Sequence, residues 1–208
     1  VNPVVRQAFR GYSEPLEGRV PWAYLDVRGL VTVGVGCLID PIVLSTRLRW
    51  VIGERRADVA EVAADFRRVK ALPAGLAAAA YREPDGLRLT DLAIDDLMYR
   101  RLDMMAGVLA DRFAAWDAWP ADAQLGALSL AWACGPDLDG WPRFVSACRA
   151  QDWTRAAEEA QIDTTRNPGV RARNERHRVL FANAAATARN PLALDPGTLW
   201  WPLELVCS

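Results

Sequence analysis

Apolar positions recur at helical spacing through most of the chain and alternate with polar ones in a single stretch, a pattern that predicts many helices and one hairpin. In RADVAEVAADFRRVKAL, Val59, Val62, Ala63, Phe66 and Val69 share one helix face until Pro73 stops the run. Thr90 is placed to cap TDLAIDDLMYRRLDMMAGVLADRF, whose apolar positions include Leu92, Leu97, Leu102, Met105 and Leu109. ADAQLGALSLAWAC, following Pro120, is apolar nearly all round, the mark of a central buried helix, and Gly135-Pro136 ends it. Asn2-Pro3 opens a short first helix through VVRQAF, expected to fray near Ser13-Glu14-Pro15 and to leave Glu17 just past its end. Beyond Leu38 the chain reads as helical almost throughout. It begins with PIVLSTRLRWV after Asp40 and continues later in PRFVSACRAQ, TRAAEEAQ and RARNERHRVLFANAAATA. The proline-punctuated tail NPLALDPGTLWWPLELVCS is expected to pack on its own body rather than serve as a docking strip.

The hairpin lies between Trp22 and Gly36, where β-branched and aromatic content rises and Val27-Arg28-Gly29 fits a three-residue turn with Gly29 left-handed. Pairing across that turn sets Asp26 opposite Leu30 and Tyr24 opposite Thr32. Asp26, Tyr24, Thr32 and Gly34 then share one face, and Leu25, Val31, Val33 and Val35 form the apolar other. Glu17 enters the polar side from the end of the preceding helix. Glycoside hydrolysis asks for such a set: one carboxylic acid held protonated for the leaving oxygen and an opposed carboxylate for water. Partial burial of Glu17 would raise its pKa, an exposed and hydrogen-bonded Asp26 would stay ionised, and Thr32 would hold the water. Gly34 and Gly36 would leave room for a sugar ring.

The composition narrows the alternatives. A chain of 208 residues with 51% hydrophobic and 25% charged residues has globular proportions, and no run reaches the length of a membrane span. A net charge of −1 gives no global attraction to nucleic acid or anionic polymers. The start does not read as a signal peptide, so action on a cell wall would require delivery by a holin or a secretion apparatus. The only histidine is His177, which excludes multi-histidine metal sites and HExxH chemistry; no cofactor is expected. Cys37, Cys134, Cys148 and Cys207 have no metal-ligand spacing and read as reduced, mostly buried thiols. Lys70 is the single lysine among 25 basic residues, which rules out a lysine-rich phosphate grip.

Glu17-Gly18, Tyr24, Asp26, Gly29, Thr32, Gly34 and Gly36 resemble the motif of the bacteriophage-type lysozymes of glycoside hydrolase family 24. That motif is glutamate, eight residues, aspartate, five residues, threonine, with a tyrosine two before the aspartate and a TxGxG strand. LRLTDLAIDDLMYRRL is similar to the family segment that opens the long helix, ALSLAWACGP to its SFAFNVG helix, and QDWTRAAEE and PGVRARNERHRVLF to later helices. The resemblance covers about three quarters of the chain. It implies an α+β, predominantly α, lysozyme-like fold with a small β-hairpin lobe and a larger helical lobe around a peptidoglycan groove. Residues 1–208 would form one domain, with 16–37 the catalytic hairpin region, 38–89 a helical insert, 90–189 the helical lobe and 190–208 the apolar tail. The implied activity is cleavage of the bond from N-acetylmuramic acid to N-acetylglucosamine with inversion. Cys134 stands where the family has asparagine, and the segment Leu38 to Leu89 is longer than a minimal member needs.

Each residue also has a plainer reading. Singly, Glu17 is a helix-end acid, Asp26 a turn acceptor and Thr32 a strand residue; the three acquire a catalytic meaning at their joint spacing. Tyr24 reads as a groove wall. Arg173 pairs with Glu17, binds glycan or is a solvated helix arginine, with Arg171 and Arg176 as rivals. His177 reads most simply as a surface or cap residue. Trp22, Trp132 and Trp141 offer sugar-stacking faces, with core burial the default. The expected partner is a peptidoglycan glycan strand, with no nucleic acid and no stable membrane insertion, and with a delivery partner or inhibitor protein left open. The alternative function is a catalytically relaxed lysozyme-fold module of a phage tail or secretion apparatus. Lytic transglycosylation is a third reading, opposed by the Asp26 and Thr32 pair.

Overall fold

The computed structural model describes residues 1–165 and 167–205. Its class is α+β and predominantly α, with about 54% helix and two small three-stranded sheets. The chain forms two compact units: residues 17–101, and residues 1–16 together with 102–208.

In the first unit, β1 (Val20–Leu25), β2 (Val31–Gly34) and β3 (Cys37–Leu38) make an antiparallel sheet in that order. Tyr24 pairs with Thr32 and Leu25 with Val31, the register expected from the sequence. The apolar face is sealed, with Leu25, Val31, Val33 and Val35 all buried. Between Val20 and Tyr24 the register shifts, so a bulge accommodates Pro21, which has no N–H for the ladder.

The segment 38–89, expected to be a helical insert, is instead mixed. It contains α2 (Ile42–Ser45) and α3 (Val59–Lys70), but also β4 (Trp50–Ile52), β5 (Arg55–Arg56) and β6 (Arg88–Leu89), a second sheet with β4 at its centre. Helix α2 stops after a single turn, and the buried indole of Trp50 donates to the Ser45 carbonyl at 2.9 Å. Val51 and Ile52, both β-branched, then enter the sheet, and Gly53 turns the chain with φ +60°. Helix α3 starts with a complete capping box, since Asp58 Oδ1 accepts from the Glu61 amide and Glu61 Oε2 accepts from the Asp58 amide. It buries Val62, Phe66 and Val69, while Val59 is exposed.

Helix α4 (Asp91–Arg112) is capped by Thr90, whose hydroxyl accepts from the Ala93 amide at 3.2 Å. Its buried stripe is Ile94, Met98, Leu102, Met105 and Leu109. Leu92 is exposed and Leu97 half-buried, so the true stripe departs from the expected one in the first two turns.

In the second unit, α1 (Pro3–Glu17) does not fray at Pro15 but runs through it to Glu17. Asn2 caps it, with Oδ1 accepting from the Val4 amide. Burial of Tyr12 and Ser13 and an Arg10–Glu14 ion pair at 3.0 Å, one turn apart, hold the final turns. Helix α5 (Ala121–Cys134) is buried from Ala121 to Trp132, as its composition predicts. Helices α6 (Pro142–Arg149), α7 (Trp153–Glu159) and α8 (Arg171–Arg189) complete the unit, with α8 packed on α5 and α7. Gly126 permits the close approach of α8: a Cβ there would lie 2.8 Å from the Phe181 ring.

The tail packs on its own unit. Asp122, buried at the start of α5, accepts from the amides of Trp200 (2.9 Å) and Trp201 (3.0 Å) and from Asn183 Nδ2 (3.0 Å). Asn183 in turn bonds the Leu203 carbonyl and the Leu205 amide, both at 2.8 Å. Cys37 and Cys148 are buried free thiols and Cys134 is an exposed one; Cys207 lies outside the described residues. Among the described residues no helix is long and apolar enough to cross a membrane.

Asp122→Ala removes the acceptor of the Trp200 and Trp201 amides and one of the two acceptors of Asn183 Nδ2. It should lower stability by about 2–4 kcal/mol in urea unfolding and expose the tail after Asn190 to limited proteolysis.

Candidate active site

The site builds up from the hairpin turn. Asp26 leaves the end of β1 and turns its own carboxylate back on the loop, so that Oδ1 accepts from the amides of Arg28 and Leu30, both at 2.8 Å. The Gly29 amide donates to the Asp26 carbonyl and the Asp26 amide to the Leu30 carbonyl, both at 3.0 Å. Gly29 adopts φ +74°, the left-handed conformation its place in the turn requires. Oδ1 is therefore committed to the fold, and Oδ2 is the oxygen left to face a ligand.

Thr32 sits opposite Tyr24 on β2 and is only 5% exposed. Its hydroxyl donates to the Leu30 carbonyl at 3.2 Å, so toward any water its oxygen acts as an acceptor. Gly34 does not open a sugar-sized space. A Cβ there would lie 3.2 Å from Ile94 Cγ2, and the backbone has φ +67°, so this glycine serves packing and turn geometry rather than substrate access. The expected face is thus partly covered by α4.

Glu17, half-buried, is the last residue of α1. In the same unit, the Tyr24 hydroxyl pKa is pushed up to about 12. Burial is the main cause, followed by the acidic groups of Glu17, Cys37 and Asp26, with the Arg101 charge opposing. Glu17 and Asp26 therefore both act electrostatically on one phenol, which stays protonated and able to donate.

Arg101 is the residue that reading the sequence missed. Its guanidinium donates to the Gly36 carbonyl and bonds the Cys37 thiol. It thereby fixes the β2–β3 turn and supplies the nearby positive charge that opposes the pKa rise of Tyr24. Within LMYRRLDMM nothing distinguishes it from its neighbour Arg100, which pairs with Asp96 on the helix surface.

Arg173 belongs to the other unit and is not solvated. It is 6% exposed, and Nη1 donates to the Ser129 carbonyl at 3.0 Å and to Ser129 Oγ at 3.2 Å. Of its rivals, Arg176 donates to the Tyr12 carbonyl and lies over the Tyr12 and Trp201 rings, and Arg171 is exposed. His177 is neither a surface nor a cap residue. It is fully buried, with Nδ1 3.0 Å from the Ala160 carbonyl and Nε2 2.9 Å from Ser129 Oγ, to which Tyr12 also donates at 2.9 Å. Its arginine-rich neighbourhood suggests an exposed face, but His177 lies on the side of α8 that meets the core. Trp22 donates its indole N–H to the Ala78 carbonyl at 2.7 Å under the Arg82 guanidinium; Trp132 is buried against Phe9, and Trp141 is half-buried at the start of α6.

A depression of about 650 Å³ lined by Asp40, Pro41, Ile42, Phe66, Arg67, Lys70 and Ala71 lies on the first unit. Glu17, Asp26 and Thr32 do not line it.

Burial pushes the His177 pKa down to about 4, with the Arg173 charge acting in the same direction and the Ala160 carbonyl opposing. A folded-state value below the unfolded one means that the unfolded chain binds the proton more readily. His177 therefore contributes stability above about pH 6.5 that is lost as pH falls toward 4, about 3 kcal/mol in all. As the single histidine, it gives one imidazole C2–H resonance, which should not titrate until pH approaches 4.

Compared with known proteins, the chain matches no family model, no curated protein and no solved structure.

Proposed function

We propose that the chain is a peptidoglycan muramidase of lysozyme-like fold, cleaving the β-1,4 bond between N-acetylmuramic acid and N-acetylglucosamine. The observation that carries this reading is the hairpin: its register pairs Tyr24 with Thr32 and its turn locks Asp26 through two amides, while Glu17 ends the helix before β1 at the spacing of the phage-type lysozymes.

The proposed chemistry follows from the atoms left open to a ligand. Glu17 in its acid form protonates the glycosidic oxygen as the bond to the anomeric carbon breaks. Asp26 Oδ2 accepts one proton of a water molecule, and Thr32 Oγ1, whose own hydrogen is committed to Leu30, accepts the other. Such a water has its lone pair directed away from both acceptors and toward the oxocarbenium-like carbon. Asp26 then takes up the proton released on attack, and the single displacement, with water entering on the face opposite the leaving oxygen, inverts the anomeric centre. No metal or cofactor enters this scheme.

A catalytically relaxed binding module of a phage tail or secretion apparatus is the second reading. It is favoured by the enclosure of Thr32 and by the packing of Ile94 against Gly34, which narrow the hairpin's polar face.

Release of reducing ends from purified peptidoglycan separates the two. In the muramidase, Glu17→Gln and Asp26→Asn should each lower the rate by about 10²-fold or more without loss of folding by circular dichroism. A folded wild-type chain that releases none, or a folded Glu17→Gln that retains full activity, removes the proposed role.

A further inference from the structure

The sole lysine and the aspartate ahead of α2 lie outside this catalytic set, yet they grip the same turn. Lys70, the last residue of α3, reaches across to the hairpin, where Nζ donates to the Gly29 carbonyl at 2.9 Å and to Asp40 Oδ2 at 2.8 Å. Asp40 Oδ2 also accepts from the Val31 amide at 3.2 Å. A single ammonium and a single carboxylate oxygen thus hold both ends of the segment Gly29 to Val31. The residue between them, Leu30, donates its amide to Asp26 Oδ1.

We propose that Lys70 and Asp40 are positioning residues for Asp26, a clamp that fixes the hairpin turn and with it the direction of Asp26 Oδ2; the catalytic part of this inference rests on the muramidase reading above.

Three features make the clamp directional rather than a generic surface pair. First, the Gly29 carbonyl is taken by Lys70, so the peptide plane following the left-handed glycine is set from outside the loop. Second, the ammonium sits at the C-terminal end of α3, where the helix dipole favours a cation. Third, Asp40 is held in its ionised form by the Lys70 hydrogen bond, which lowers its pKa, with the Val31 amide acting in the same sense. Packing on the turn is lighter: Ala74 Cβ stands 3.7 Å from where a Cβ on Gly29 would be. Loss of the clamp would let the Gly29 to Val31 segment rotate. Asp26 Oδ1 would then follow the Arg28 and Leu30 amides, and Oδ2 would turn with it.

The test uses the full chain with Lys70→Met, Asp40→Asn, the double variant and Lys70→Arg. Amide hydrogen exchange at Arg28 and Leu30 should quicken at least tenfold in Lys70→Met and Asp40→Asn, no further in the double variant, and less in Lys70→Arg. On peptidoglycan, kcat should fall roughly ten- to a hundredfold with KM nearly unchanged, as expected when a reacting group is misplaced while substrate binding persists. Recovery of slow exchange and of kcat in Lys70→Arg, with KM unchanged throughout, separates positioning from a general loss of stability. Unchanged exchange at both amides in a folded Lys70→Met would overturn the clamp. If the wild-type chain turns over no peptidoglycan, the muramidase reading fails by itself, and amide exchange still decides whether Lys70 and Asp40 set the turn that holds Asp26.

Discussion

Two peptide N–H groups at the hairpin tip, those of Arg28 and Leu30, find their acceptor in one oxygen of Asp26, and the geometry of the first unit's candidate site follows from that arrangement. Amides in a tight turn have no strand partner, and leaving them unpaired costs more than a typical surface interaction contributes. By supplying the acceptor, Asp26 fixes its own side chain with backbone-grade rigidity. The same carboxylate is then presented from a known direction, with Tyr24 and Thr32 set by the adjoining register. Placing a group on rigid elements with its rotamer locked by neighbouring hydrogen bonds is what a reactive constellation requires.

Much of this was legible in the sequence because it depends on local rules. The period-2 pattern of Leu25, Val31, Val33 and Val35, together with Gly29, determines the turn and the register, and hence the sharing of a face by Tyr24, Asp26 and Thr32. The nearly all-apolar composition of α5 and the capping signals at Asn2 and Thr90 are equally local. What sequence reading missed depends on partners distant along the chain. The strands β4 to β6 are two or three residues long, too short for periodicity to reveal, and exist because Trp50 and Leu89 meet across nearly forty intervening positions. His177 reads as exposed among arginines until Ser129 and Ala160 supply its partners. Gly34 reads as an opening until Ile94 fills the space beside it. Arg101 has no local signal at all.

Helix α5 illustrates how a nearly all-apolar element uses its few polar side chains. Asp122, Gln124 and Ser129 are each about 1% exposed, and each is satisfied by a different part of its unit. Asp122 takes the tail and Asn183; Gln124 takes the Asn2 amide and donates to the Trp116 carbonyl; Ser129 gathers Tyr12, Arg173 and His177. Buried polar groups of this kind specify which segments meet, because any alternative arrangement leaves a donor or acceptor stranded.

The discontinuity of that second unit has a temporal meaning. Residues 1–16 are made ahead of their partners: the groups that satisfy Asn2 and Tyr12 lie on α5, 122 and 117 residues farther along, and at Gly197, 195 residues beyond Asn2, with Trp201 packed on Tyr12. Residues 17–101 hold all of their own partners for both small sheets and are finished in between. Helix α1 cannot complete its packing until α5 and the strip near Gly197 and Trp201 have been made, so its unit closes around contacts of long sequence separation.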